Sequence, residues 1–376
     1  MRKTLVGVLA AAVLVTGATG TALSTPGGSG VQKQLDGLVK QHEFPAALAT
    51  VTEANGRSTA YVAGTSELGK RVPVPKDGQV RAGSNTKAFV ATVIMQLVGE
   101  GKVELDKPIN HYLPGAIKDD RITVRQLLNH TSGLANYTEF LGLEKFEDVR
   151  HRYLEPRELL DAANAHPVTG QPGEKFKYSN TNYALLGLLA QKVTGRPISE
   201  NVQKRIVEKL ELRDTYWPGV GEETIRGKHP HGYALTGNGI EDVTEMDPSW
   251  GWAAGQIVSS TKDLNTFYRS LLKGDLVKKA QLDEMQKTVD TKGEMWPGVE
   301  YGLGIASAPL SCGGRYWGHG GDIHGFETRG GVASNGKAVS VAVTALPGTF
   351  SDTPEEAGKA HDAVLAALDA GLCGAK

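Results

Sequence analysis

Cysteine is nearly missing from this chain: Cys312 and Cys373 are the only two in 376 residues. That scarcity excludes a cysteine-rich scaffold and leaves one question, whether the pair is bridged. Long apolar runs are equally scarce. One opens the chain, from Leu5 to Val15 behind Met1-Arg2-Lys3, and small residues follow it through Ala22. The run is too short to span a bilayer comfortably, so its order predicts a secretory signal peptide over 1–22 and no stable membrane anchor. A charge excess is absent too. The formal charge is −1, and loss of the leader's two basic residues, Arg2 and Lys3, makes it −3. No basic run carries interleaved aromatics, which argues against a nucleic-acid partner. The 10 histidines are scattered. Neither His229-Pro230-His231 nor His319 with His324 stands near acids or cysteines at ligand spacing, so neither metal nor cofactor is expected. There is no Gly-x-Ser-x-Gly elbow, no internal repeat and no low-complexity tract.

In an exported chain an isolated cysteine pair is more often bridged than free. A Cys312–Cys373 bond would close a loop of about 60 residues, worth ~4 kcal/mol in the chain-entropy picture; two buried thiols are the alternative. Residues 23–30 read as a flexible leader into a single domain over 31–376. Apolar spacing predicts a helix over Val31–His42, strands over Ala46–Val51 and Ser58–Gly64 around Asn55-Gly56, and a helix from Asn85 to Gly101 with its apolar residues on one face. Helical spacing continues through Val124–Leu128, Pro156–Ala165, Asn182–Val193 and Ser199–Leu210. Strand patterns return at Tyr301–Ala306, Arg315–Gly318, Phe326–Val332 and Ala338–Thr344, before a last helix over Ala357–Leu372. The expected fold is therefore α/β (α+β). An antiparallel sheet flanked by helices is drawn from 31–82 and 255–376, and a mostly helical part from 83–254.

Three short motifs carry chemistry. In Gly83-Ser84-Asn85-Thr86-Lys87, a helix beginning at Ser84 places Lys87 one turn on, with its amine within reach of the serine oxygen. A serine hydroxyl needs such a base, and a lysine acts as one when burial makes its neutral form accessible. The similar Ser259-Ser260-Thr261-Lys262 overlaps Ser260-Thr261-Lys262-Asp263, which reads as a capping box ahead of Leu264, Phe267 and Leu271. In Tyr178-Ser179-Asn180 a phenol can relay protons and an amide can hold a substrate carbonyl. It is placed in the loop before the next helix. His319-Gly320-Gly321, expected just after a strand, offers an imidazole for charge or a hydrogen bond, and two glycines that let another chain approach. Taken singly, the second is equally a capping turn and the third a glycine-rich β-turn.

The ordered set Ser-x-x-Lys, Tyr-x-Asn, His-x-Gly resembles the serine β-lactamase and penicillin-binding-protein superfamily, in the version found in secreted class C-type D-alanyl-D-alanine carboxypeptidases. Asp120 to Leu128, His130-Thr131-Ser132-Gly133-Leu134, Tyr301-Gly302-Leu303-Gly304 and the cysteine pair resemble that framework as well. The resemblance implies a β-lactamase/DD-peptidase-like fold and an acyl-enzyme on Ser84. Lys87 and Tyr178 would handle protons and Asn180 would bind the substrate amide. Backbone amides of Ser84 and Asp322 would form the oxyanion hole, beside His319, Gly320 and Gly321. Trp250 and Thr138 fall where such enzymes line the cleft, although either could equally pack or cap. The implied substrate is a peptide or other acyl donor, with β-lactams as acylating inhibitors, and the implied protein is secreted and monomeric.

One departure matters. The third motif runs His319-Gly320-Gly321-Asp322, without the threonines that help hold a substrate's terminal carboxylate, and Ala306 stands where an arginine can serve that purpose. Asp322 would repel an anionic terminus, and Arg329 is the candidate to restore a contact. The expectation is a D-alanyl-D-alanine carboxypeptidase, against a D-aminopeptidase or esterase on the same scaffold. A non-catalytic penicillin-binding or sensor protein would be expected to lose Ser84, Lys87 or Tyr178.

Overall fold

The computed structural model describes residues 26–374; the expected signal peptide lies outside them. Eight strands form one antiparallel sheet. Their order is Ser58–Gly64, Ala46–Thr52, Ala338–Val343, Phe326–Ala333, Arg315–Ile323, Ala306–Pro309, Glu300–Tyr301 and Val289–Asp290. Both faces are covered, which explains why Ala46–Thr52 and Ala338–Val343 are buried at every position. Alternation still sorts their residues. Ala47, Ala49, Val51, Val339, Val341 and Val343 meet Val31, Leu35, Leu38, Val364 and Leu368 of the two terminal helices. Leu48, Ala338 and Ala342 face the opposite core with Leu264, Phe267 and Leu271 of the helix Thr261–Lys273.

The first helix runs Pro26–Gln41, so Pro26 to Gly30 are helical rather than a flexible leader. The apolar stripe of Val31, Leu35 and Leu38 docks on the sheet, and tertiary packing sustains a helix that local propensity would not start. The last helix, Pro354–Cys373, begins at a capping box between Thr353 and Glu356. It ends at Cys373, which is joined to Cys312 across a Cα–Cα distance of 5.7 Å.

The helix Thr86–Gly99 is buried on nearly all sides, which suits a spine between two parts of a protein. Phe89 of this helix stacks on Phe267 at 3.8 Å. Two other expectations are corrected. The strand expected over Tyr301–Ala306 is broken, because Gly304 adopts a left-handed φ of 80° between Tyr301 and Ala306. The helix expected over Ser199–Leu210 starts at Ile198 and passes at Val202 into π-type winding over Gln203–Val207. The middle of the chain is otherwise helical, apart from a hairpin of Tyr233–Thr236 with Gly239–Asp242. A short ladder of Gln79–Arg81 with Val258–Ser260 delivers the chain to Ser84. Ser260 caps Thr261–Lys273 by accepting from the Asp263 amide.

Candidate active site

Ser84 lies in a single 3-10 turn, Gly83–Asn85, that leads into Thr86–Gly99. This turn is pressed against the strand Arg315–Ile323, and two glycines permit the approach. A side chain on Gly321 would meet the Ala82 carbonyl oxygen at 1.9 Å. One on Gly83, whose φ is +51°, would meet the Asp322 nitrogen at 2.9 Å. The Asp322 amide is thereby held beside the nucleophile turn. The third motif is thus strand, not the turn after one, and its glycines are set by close contact. Asn85 locks the arrangement, donating to Ala82 and Thr328 while accepting from the Tyr268 hydroxyl.

The Lys87 amine has three partners: Ser84 Oγ at 2.9 Å, Asn180 Oδ1 at 2.7 Å and the Ala254 carbonyl at 2.8 Å. It is fully buried, and loss of hydration drives its pKa well below that of an ordinary lysine, against a smaller opposing pull from Asp322. A neutral amine has two N–H bonds and one lone pair. Asn180 Oδ1 and the Ala254 carbonyl accept only, so they take both N–H bonds and the lone pair faces Ser84. A lysine so arranged can remove the serine proton. Tyr178 hydrogen-bonds Ser84, and burial raises its pKa above that of a free phenol. Burial thus moves the two groups in opposite directions, favouring the protonated phenol and the neutral amine.

Asn180 is the first residue of the helix Asn180–Thr194 rather than part of the loop before it, and its amide donates to Thr138 Oγ1 at 3.3 Å. His319 is buried. Its Nε2 meets the Tyr301 hydroxyl at 2.8 Å and its Nδ1 the Gly320 carbonyl. Burial takes its pKa down to about 3. It is neutral at working pH and supplies hydrogen bonds, not the positive charge that the sequence left open. Trp250 is buried edge-on to His324 in the turn Pro248–Trp250, and its carbonyl accepts from Tyr137.

The cleft at Ser84 holds about 470 Å³ and is lined by Tyr178, Met295, Trp296, Gly320, Asp322 and Arg329, among others. A slightly larger hollow of about 510 Å³, lined by Arg269, Lys273, Arg315 and Trp317, touches none of the groups around Ser84. Sequence reasoning missed several contributors. His130, seen only as framework, stacks on Tyr178 at 4.2 Å, and its Nδ1 accepts from the Ser179 amide at 3.2 Å. Its φ of 59°, unusual for a non-glycine residue, lies in the His-Thr-Ser-Gly segment and is legible only in three dimensions. Ala254, Met295 and Trp296 carry no local signal. No group of three or more His, Cys, Asp or Glu among the described residues is placed to hold a metal ion, and no helix there is long and apolar enough to cross a membrane.

The profile of the Beta-lactamase family matches residues 31–365. The chain belongs to that family. Among solved structures, this beta-lactamase-family chain is similar to a D-stereospecific amidohydrolase from Streptomyces sp. The identity is 36%, the TM-score 0.79, and the match covers 88% of this chain and 97% of that one. It is also similar to a D-amino acid amidase from Ochrobactrum anthropi SV3, complexed with L-phenylalanine amide. Here the identity is 27%, the TM-score 0.81, and the coverage 91% and 98%. A protein of Bacillus subtilis (strain 168) named as a penicillin-binding protein, PbpX, is 26% identical over 264 residues. That match takes in 69% of this chain but only 60% of PbpX, less than two thirds of its length. With this family, fold and likeness, the protein is a serine hydrolase.

Proposed function

We propose that this hydrolase opens the amide bond of D-amino-acid amides or peptides that carry a free α-ammonium, through an acyl-enzyme on Ser84. Lys87 takes the Ser84 proton as Oγ bonds to the carbonyl carbon, and the amides of Ser84 and Asp322 hold the resulting oxyanion. The proton passes through Lys87 and Tyr178 to the leaving nitrogen, the C–N bond breaks, and water repeats the sequence on the ester. Asn180 holds Lys87 and the substrate amide.

The observation that carries the substrate class is an exposed carboxylate at the nucleophile. The Asp322 side chain is 57% accessible and lines the same cleft as Ser84. A residue whose backbone N–H binds the carbonyl oxygen keeps its own carboxylate within a few ångströms of that carbonyl, where an α-ammonium stands. Among the described residues lining this cleft there is no lysine and no arginine free of a carboxylate partner to receive a terminal carboxylate. Ala306 has no charge to offer, and Arg329 is already engaged by Asp322 and Glu327, each at 2.7 Å. The similar Streptomyces and Ochrobactrum proteins, a D-stereospecific amidohydrolase and a D-amino acid amidase, support the D configuration. Cleavage of acyl-D-alanyl-D-alanine, the carboxypeptidase reading, is the competing outcome.

Rates on D-alanine amide, its N-acetyl derivative, an acyl-D-Ala-D-Ala peptide and a short-chain ester decide between them. A charge-assisted contact is worth ~1.5–3 kcal/mol, so the free-amine amide should lead by roughly tenfold to a hundredfold in kcat/KM. Asp322→Asn should erase most of that lead. A clear preference for the free-carboxylate peptide sinks the reading. Export belongs to the same proposal, with Cys312 and Cys373 bridged in an oxidising compartment. Protein recovered outside the cell should begin near residue 23 and yield one Cys312–Cys373 peptide under non-reducing mapping. Free thiols there refute it.

A further inference from the structure

We propose that Arg329 is a positioning residue that turns Asp322 into the receptor for the substrate ammonium and forces residue 320 to be glycine; this rests on the free-amine reading above. The two central strands place four residues on one face of the sheet. Asp322 stands opposite Glu327, and Gly320 opposite Arg329. Two carboxylates directly opposed across a ladder repel each other, and Arg329 resolves the conflict. Its Nη1 meets Asp322 Oδ1 and its Nη2 meets Glu327 Oε1, both at 2.7 Å, while Nη1 also donates to the Thr328 carbonyl at 2.8 Å. The Trp296 ring lies 5.8 Å from the guanidinium carbon.

The three groups carry one excess negative charge, and they differ in where it can be reached. Side-chain exposure is 0% for Glu327, 6% for Arg329 and 57% for Asp322. Glu327 is sealed further by the His361 Nδ1 at 2.9 Å. The surplus therefore faces the cleft at Asp322, held in one direction by a buried arginine. That arginine takes the space of a side chain at 320. A Cβ on Gly320 would lie 2.8 Å from Arg329 Nη1 and 2.9 Å from its Cδ. A threonine at 320, as in the carboxylate-binding form of the motif, would push this guanidinium from its place. The Gly320, Asp322 and Arg329 set is one device.

The experiment measures the kcat/KM ratio of D-alanine amide to N-acetyl-D-alanine amide in the full-length protein and its variants. Arg329→Ala should lower the ratio about tenfold or more, chiefly through KM for the free amine, and Arg329→Lys should restore part of it. Gly320→Ala should also lower the ratio, by pushing the guanidinium off Asp322. It keeps every charge in place, so it decides the question if Arg329→Ala fails to fold. Acylation of Ser84 by a penicillin reports whether each variant retains its machinery. An unchanged ratio in Arg329→Ala or Gly320→Ala that still acylates overturns the inference while the substrate reading stands. A wild-type ratio near one removes the substrate reading itself.

Discussion

Ser84→Ala is expected to abolish turnover and to leave the protein unlabelled by penicillin or a fluorophosphonate probe. Wild-type protein should gain one adduct on the peptide that carries Ser84. The expectation is strong because, among the described residues, no serine hydroxyl other than that of Ser84 is hydrogen-bonded to a lysine amine. Ser259, which shares the Ser-x-x-Lys pattern, is fully buried and hydrogen-bonds Thr215, while Ser260 is occupied as a helix cap. Neither hydroxyl has a partner like Lys87. Removing the nucleophile of a serine hydrolase leaves only what binding and the oxyanion donors contribute, so the rate should fall by roughly 10⁴-fold to 10⁶-fold. Turnover and intact-mass spectrometry read the two consequences separately. An adduct that survives the substitution, or that maps to Ser259, would end the assignment of the nucleophile.

The legible parts of this site were those whose partners lie within one turn of the chain. Lys87 follows Ser84 by three residues, and a helix converts that spacing into contact whatever surrounds it. The capping role of Ser260 was legible for the same reason. The third motif was harder, because glycine runs favour turns locally. Here the run continues a strand whose neighbour, the Ala82 carbonyl, leaves no room for a side chain at 321. Arg329 and Glu327 lie in a central, fully buried strand, where charged residues have no local rationale. Their role depends on the pairing of Gly320 with Arg329 across the hairpin, a register hidden by ending the expected strand at Gly318. The edge strand Ser58–Gly64 and the helix Val124–Leu128 kept their expected bounds, since turn glycines and caps act locally.

Lys87→Ala should be nearly as damaging as loss of the nucleophile, and its pH dependence should identify the base. A positioned general base contributes typically 10²-fold to 10⁴-fold, so acylation of Ser84 should slow by about that factor while the serine remains present. Arginine cannot replace it, because a guanidinium stays charged at any working pH. Lys87 acts in its neutral form, so kcat/KM should rise with pH through its pKa and level off above. Burial holds that pKa well below the ordinary lysine value, so the rise should lie correspondingly lower. The stability argument has a definite sign. The unfolded chain binds a proton that the folded chain releases, so between the folded and unfolded pKa values Lys87 costs stability, and that cost shrinks as pH rises. Lys87→Met, which removes the ionisable group and keeps the bulk, should therefore lose activity without a proportional fall in melting temperature. Two results would exclude Lys87 as the base and move the role to Tyr178. One is an alanine variant that acylates within tenfold of wild type; the other is a rising pH limb that survives its removal.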